Sequence, residues 1–466
     1  MFICLVYNVV MTGNEDRNIE ICERIAELVR EKGGRVFYVG GYVRDELLKL
    51  ENKDIDIEVH GILPEELFEL LQGIGHPRVF GSSFGVYSLD GYDVDIAMPR
   101  KEKAIGRGHR DFQIDVDPFI GYENAARRRD FTFNAMMEDV LTHEILDPFH
   151  GQEDLKNHIL RHVDEQSFAE DPLRVLRAGQ FAARFDCQIA EETLELCRGI
   201  DITTLSRERV EEELKKALTK GSHPSIFFES LKQMQQLDYW FKEVKQLIGV
   251  KQDPIYHPEG DVWVHTMQVL DKAASYRDKV THPYYYMLLA LCHDFGKILA
   301  SEEIDGRIHA YGHEEMGLPL IEAFLRRLTS EHELIRYVCN MTALHMKPNA
   351  LAHDHSSLKA SNRMFDEAYA PLDLIYMALA DQPILMGKDA YTDSSPYLFE
   401  RYALYQEMMK RPYVTGSDLI EAGLQPGEEF TQLLAYAHKL RLAGVDKEAA
   451  LKQTLAMHHK NKGEKQ

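Results

Sequence analysis

The sequence predicts a multidomain α+β protein: a small head on a mixed sheet, then a mostly helical neck and body, a second helical module and a helical tail. Three observations carry this expectation. The 466 residues exceed what a single hydrophobic core organises, so two to four domains are expected. Short apolar runs with strand alternation gather in the first quarter of the chain. From residue 122 onward helical periodicity takes over. The expected divisions are an N-terminal extension at 1–17, the head at 18–151, the neck and body at 152–250, the second module at 251–385 and the tail at 386–466.

The elements follow in order. MFICLVYNVV at 1–10 has no basic lead and is too short for an export signal, so it reads as a short extra strand or arm, with Met11 as an alternative start. Residues 18–33 carry apolar positions at helical spacing. Val36–Val39 reads as a strand, broken by Gly40-Gly41, and a helix restarts over 42–50. DIDIEV at 54–59 alternates as a strand, and Pro64–Leu71 reads as a short helix. The runs 84–89 and 92–98 flank Asp90-Gly91, a hairpin signal. Residues 99–118 are polar and basic and read as a mobile loop. Helices are expected over 123–136, 171–185, 190–198, 206–219 and 224–234, with a turn-rich strand pair at 143–151. After a Pro/Gly/His/Asp-rich break at 251–262, helices are expected over 263–276, 283–292, 313–328, 331–344, 355–369 and 371–381. A polar break at 386–396 leads to helices around the turns Thr415-Gly416 and Gln425-Pro426-Gly427, and 458–466 reads as disordered.

Composition narrows the function. With 44% hydrophobic and 28% charged residues the chain is ordinary globular protein. A net charge of -22 argues against a dedicated polyanion binder, although 100–110 and 127–129 are locally basic. Screening makes such local charge matter more than the sum. Six cysteines without metal-knuckle or disulfide spacing fit a reducing, cytoplasmic compartment, and no apolar run reaches membrane-spanning length.

Two features of the head point to chemistry. Residues two apart on a strand share a face, so Asp54 and Asp56 point together. Adjacent carboxylates repel unless a cation lies between them, and magnesium suits such hard oxygen ligands. Asp95 on a neighbouring strand can add a third carboxylate and help deprotonate an attacking hydroxyl, with Asp93 as fallback. Gly40-Gly41, between strand and helix, let backbone N–H groups approach a phosphate, with Arg44 one turn in. Asp45 would orient Arg44 or bind ribose. Each feature alone is as readily a solvated strand face or an ordinary strand-to-helix turn.

GGYVRD at 40–45 with DID at 54–56, RRRDFTFNA at 127–135, AEDPLRVLRAGQFAARF at 169–185 and LSRERVEEELKKAL at 205–218 resemble, in order and spacing, the class II tRNA nucleotidyltransferases (CCA-adding enzymes) and their bacterial poly(A) polymerase relatives. The resemblance spans about residues 34–235. It implies a nucleotidyltransferase head in which Asp54 and Asp56 hold magnesium. It places Arg129 and Asp130 near the ribose and phosphates of CTP or ATP, Asp171 and Arg174 at the base edges, and Arg177 at a phosphate. Asp171 and Arg174 are also three apart on an expected helix, one with acceptors and one with a donor fork, which suits cytosine and adenine or else makes a surface ion pair. The loop at 100–118, with Arg107 and Arg110, matches a flexible family loop and is expected to touch RNA phosphates. After DID the family often has a small or apolar residue and a threonine, whereas this chain has Glu58 and His60.

In the second module His265, His293, Asp294, His313, His345 and Asp381, with His309 a poorer candidate than His313, suit a divalent metal at an N/O site: zinc, manganese, iron, nickel or magnesium. Their order resembles the HD phosphohydrolase superfamily, with His265, His293, Asp294 and Asp381 at the core ligand positions. His313 and His345 match the extra histidines of two-metal members, and Lys297 is expected to neutralise a substrate phosphate. That resemblance implies hydrolysis of 2′,3′-cyclic or 2′-phosphates on RNA ends, alongside a regulatory or structural metal site as the alternative. The functional expectation is addition of C, C and A to the 3′ end of tRNA by a monomer or homodimer. The alternatives are a partial (CC- or A-adding) enzyme, a poly(A) polymerase, a metal phosphohydrolase, or an RNA-binding factor with an inactive transferase site.

Overall fold

The structure is a computed structural model and describes residues 2–50, 54–80, 85–104, 112–382 and 393–463. The chain forms two compact units, Met1–Glu213 with Ile226–Gln236, and Leu214–Ser225 with Leu237–Gln466. The expected class holds: the first unit opens with a small mixed sheet, and the rest is largely helical.

The strands of the first unit are β1 (Arg35–Val39), β2 (Ile55–His60), β3 (Pro77–Phe80), β4 (Val86–Leu89), β5 (Val94–Ala97), β6 (Arg100–Ala104), β7 (Phe112–Val116), β8 (Met137–Asp139) and β9 (Ile145–Leu146). Seven of them form one sheet in the order β3-β4-β5-β2-β1-β8-β9. The β2–β5 pair is parallel and the other ladders of this sheet are antiparallel. Val36, Phe37, Tyr38, Ile55, Ile57, Val59, Val94 and Ile96 are buried in its centre. The helix Phe2–Glu31 buries Cys22, Ile25, Ala26 and Val29 at helical spacing and packs on β1 and on the helix Pro64–Ile74.

Several expectations are corrected. Residues 2–10 are neither strand nor arm but the start of the first helix. Half of the expected mobile loop at 99–118 is a two-stranded ribbon, with Arg100 opposite Val116 and Ala104 opposite Phe112. RKEKA carries no apolar alternation, whereas its partner FQIDV does, so only one of the two strands had a period of two to read. Residues 105–111, including Arg107 and Arg110, lie outside the described residues. The helix expected over 123–136 ends at Arg127. The Asp130 carboxylate there accepts from Phe131 N and Asn134 Nδ2, a local bond that competes with helix continuation. Phe131 and Phe133 then turn into an aromatic cluster with Phe181, Phe168 and Phe185, and Met137–Asp139 joins β1. At the other end the helix Lys447–Gly463 covers most of the segment expected to be disordered.

The second unit packs helices around buried Trp263, Tyr286, Phe295, Phe324 and Tyr337. Its last helices close a core of Val414, Leu419, Leu433, Ala437 and Ala450. Cys22, Cys187, Cys197, Cys292 and Cys339 are unpaired thiols. No helix among the described residues is long and apolar enough to cross a membrane.

Candidate active site and metal centre

The parallel β2–β5 register sets Asp56 directly opposite Asp95, with Asp54 two residues before Asp56 at the strand entry. Burial, together with Asp95 and Asp54, pushes the Asp56 carboxyl up to about 6, while Arg129 pulls the other way. The three carboxylates thus crowd one patch of sheet, and a divalent cation is the group that would relieve them.

Gly40 caps the helix Gly41–Leu47 with φ +68°, which glycine adopts without strain. A Cβ there would lie 3.0 Å from Arg129 Nη1, so Arg129 and Gly40-Gly41 share one surface. Arg129 also lies 3.6 Å from Glu58. Arg44 is elsewhere. It is only 3% exposed, donates to Asp45 and to Asn134 Oδ1 (2.7 and 2.6 Å), and stacks 4.5 Å from the Phe185 ring. Expected to face a phosphate, Arg44 instead props the helix against the aromatic core, and Asp45 is its partner. Both reach the site only through the backbone they hold.

Asp130 is also internal. Its Oδ2 accepts from Arg177 Nε and Nη2 (2.8 and 2.6 Å) and its Oδ1 from Asn134 (2.9 Å). Burial opposes ionisation, but Arg177, Asn134 and Arg174 hold this carboxyl below its usual range. Asp130 therefore orients Arg177. Asp171 precedes the helix Leu173–Phe185 and accepts from Leu173 N (3.1 Å). Its carboxylate also accepts from Arg209 (2.9 and 3.1 Å), on the helix Arg207–Lys220. Arg174 donates to the carbonyls of Ser167 (2.8 Å) and Arg128 (2.6 Å), which fixes its fork. Arg209 was not singled out in the sequence: LSRERVEEEL has several charges, and only the fold selects one.

In the second unit the expected ligands converge. Each of His293, His313 and His345 donates Nδ1–H to a backbone carbonyl (Ala290, Ala310 and Thr342, at 2.9, 2.8 and 2.6 Å). That tautomer turns every Nε2 lone pair inward. Asp294 lies between two groups: Oδ2 faces His265 (3.5 Å) and His293 (3.3 Å), and Oδ1 faces His313 (3.2 Å) and His345 (4.0 Å). Asp381 completes the first group at 3.0 Å from His265 and 3.4 Å from His293. His309, the poorer candidate beside His313, stacks on Tyr311.

The donor set fits divalent metal. Asp294 Oδ2 is buried without a well-directed hydrogen bond, and four Nε2 atoms with two carboxylates converge in a buried pocket. Burial disfavours a charged imidazole, yet Asp294 and Asp381 push His293 up to about 10, a measure of the pocket's demand for positive charge. Lys297 meets part of it, 2.7 Å from Asp294 and 2.8 Å from Gln252 Oε1. It is buried in the pocket wall rather than turned to a substrate. Sequence reasoning missed Glu259, whose Oε1 accepts from Nδ1 of both His265 (2.8 Å) and His257 (2.9 Å) and so sets the His265 tautomer.

One backbone contact holds the pocket together. A methyl group on Gly296 would overlap the carbonyl oxygen of His313 and come within 2.9 Å of Gly317 N. Gly296→Ala is therefore expected to cost about 2–4 kcal/mol and to displace His313. Thermal unfolding and metal content of the purified variant check this.

A profile of the poly A polymerase head domain matches residues 36–161. The "Multifunctional CCA protein" of Mannheimia succiniciproducens is 39% identical over 316 residues, covering 66% of this chain and 73% of that protein. The CCA-adding enzyme of Thermotoga maritima, solved in complex with tRNA_CCA, has the same fold at TM-score 0.63 and 22% identity, covering 94% of this chain and 95% of that one. The CCA-adding enzyme of Bacillus stearothermophilus in complex with CTP matches at TM-score 0.64 and 19% identity, covering 94% and 97%. Head sheet, carboxylate patch and the arginine-rich body together define a nucleotidyltransferase. The chain belongs to the class II CCA-adding enzyme family.

Proposed function

We propose that this nucleotidyltransferase adds C, C and A to the 3′ end of tRNA from CTP and ATP without a nucleic-acid template, and that its second unit is an HD-type phosphoesterase acting on 2′,3′-cyclic or 2′-phosphates of RNA ends. The observation that carries the transferase reading is the alignment of Asp56 with Asp95 across the parallel strands, next to the Gly40 turn.

Asp54 and Asp56 would hold magnesium, which supplies charge neutralisation for a triphosphate and acidifies an attacking hydroxyl. The chain's own groups do the rest. Asp95 is exposed beside Asp56 and takes the proton of the incoming RNA 3′-hydroxyl. The Gly40-Gly41 turn admits the triphosphate, and Arg129 on the same surface compensates its charge. Arg177, oriented by Asp130, offers its remaining donors to a phosphate. Asp171 and Arg174 read the base edge, a carboxylate held by Arg209 and a fork pinned by two carbonyls. Cytosine and adenine both pair an N–H with the acid and a ring acceptor with the arginine. Uracil and guanine leave groups unpaired at about 1–3 kcal/mol each. In the second unit His265, His293, Asp294 and Asp381 would hold one cation and His313, His345 and Asp294 another, to activate water against a phosphoester.

The test supplies tRNAs ending at the discriminator base, after the first C and after the second C with each nucleoside triphosphate alone and with all four. The expected result is stepwise growth that stops at CCA. Long A tracts would assign a poly(A) polymerase, a single permitted step would assign a partial enzyme, and phosphatase activity without incorporation would assign a hydrolase. Asp171→Ala is expected to raise UTP and GTP misincorporation about 10- to 100-fold relative to CTP and ATP.

A further inference from the structure

The chain departs from the family pattern just past its acid pair, at Glu58 and His60. Both side chains are buried, though glutamate is among the residues least often buried. Glu58 Oε1 bonds His60 Nε2 at 2.8 Å, and the His60 ring stands edge-on to Phe37 with centroids 5.3 Å apart. The other oxygen, Oε2, faces Arg129 Nη2 at 3.6 Å. Both carboxylate oxygens are thus engaged, one by His60 and the other by Arg129.

We propose that Glu58 is a positioning residue for nucleotide transfer: it holds the Arg129 guanidinium over the Gly40 turn and keeps it from collapsing onto Asp56. The physical case has two parts. A fourth carboxylate beside Asp54, Asp56 and Asp95 is unfavourable and needs partners, here a hydrogen bond to His60 and an ion pair with Arg129. Arg129 also acts electrostatically on Asp56, so without Glu58 it is drawn toward the carboxylate patch where magnesium would bind. Anchoring by Glu58 sets Arg129 where a glycine without a side chain leaves room, 3.0 Å from the position a Cβ on Gly40 would take.

This inference rests on the reading that nucleotides react at Asp54 and Asp56 with the triphosphate over Gly40. The experiment compares wild type, Glu58→Gln, Arg129→Ala and the double variant, with KM and kcat for CTP and ATP at saturating tRNA and across a magnesium titration. Glu58→Gln keeps shape and the contact to His60 but loses the charge. It is expected to raise KM for both nucleotides about 5- to 20-fold, to shift the magnesium requirement upward and to change kcat less than KM. Arg129→Ala is expected to raise KM at least as much, and the double variant to match Arg129→Ala alone. Glu58→Asp, which keeps the charge on a shorter stem, is expected to fall between wild type and Glu58→Gln and serves if the glutamine variant does not fold. Additive effects, or an unchanged KM in Glu58→Gln alongside a raised one in Arg129→Ala, would overturn the inference and leave the transferase reading standing. An unchanged KM in Arg129→Ala would remove the group through which Glu58 acts. Absence of incorporation by the wild type would sink the transferase reading itself.

Discussion

Asp56→Asn is expected to abolish nucleotide incorporation and at the same time to raise the melting temperature of the metal-free protein. The loss should reach at least about 10³-fold, because an amide neither repels nor binds as a carboxylate does and a cation at this patch would lose an anchor. The gain in stability follows from the same crowding. The Asp56 carboxyl is raised from 3.8 to about 6, with burial as the largest cause and Asp95 and Asp54 adding to it. A raised acid favours the folded state while protonated, so its contribution is complete below the unfolded value and is lost as pH rises through about 6. At neutral pH wild type therefore carries an ionised group that the fold resists. Removing that charge should return about 1–2 kcal/mol after allowance for solvent screening, a rise of several degrees. The difference between variant and wild type should be largest at pH 7–8 and fade toward pH 4. Magnesium should raise the melting temperature of wild type and leave Asp56→Asn nearly unmoved. Calorimetry with and without metal, beside an incorporation assay, measures all of this. A variant less stable than wild type in metal-free buffer at pH 7.5 would contradict the crowding argument.

The second large effect is expected in the histidine cluster. Asp294 faces both groups of imidazoles, one with each oxygen. Asp294→Asn should remove the metals of both groups, whereas His345→Ala should remove only that on the side of His313. Metal content by mass spectrometry should fall to near zero in the first variant and to about half in the second, with phosphoester hydrolysis down at least about 10³-fold in Asp294→Asn. Loss of the carboxylate also leaves Lys297, 8% exposed, without its counter-charge and with Gln252 as its hydrogen-bond partner, a cost of about 3–5 kcal/mol at full strength. Nucleotide incorporation should persist in both variants, because neither residue belongs to the carboxylate patch. Equal metal loss from the two variants would contradict a bridging Asp294.

How far the sequence could be read depended on where each partner lay. The acid strand and the Asp90-Gly91 hairpin were readable because period-two alternation and a turn dipeptide are local signals. Short strands such as β3 and β8 were not, since three or four residues carry no period and acquire their conformation from a neighbouring strand. The histidine cluster was readable because imidazoles and carboxylates interrupting apolar helices need partners. Its supporting residues were not: Glu259 looks like any loop acid until His265 is found beside it. Arg44 shows the reverse error. Its place after two glycines suggested a phosphate, but Asp45, Asn134 and Phe185, up to 141 positions away, draw it inward. Asp171 likewise depends on Arg209, which lies 38 positions downstream.

The most direct measurement of the central claim is a crystal structure with manganese and CTP, with the metal located by its anomalous scattering. The account predicts manganese bound by the carboxylates of Asp54 and Asp56, with the triphosphate lying over Gly40-Gly41 and against Arg129. Manganese remote from both aspartates, or a triphosphate bound away from that turn, would contradict it.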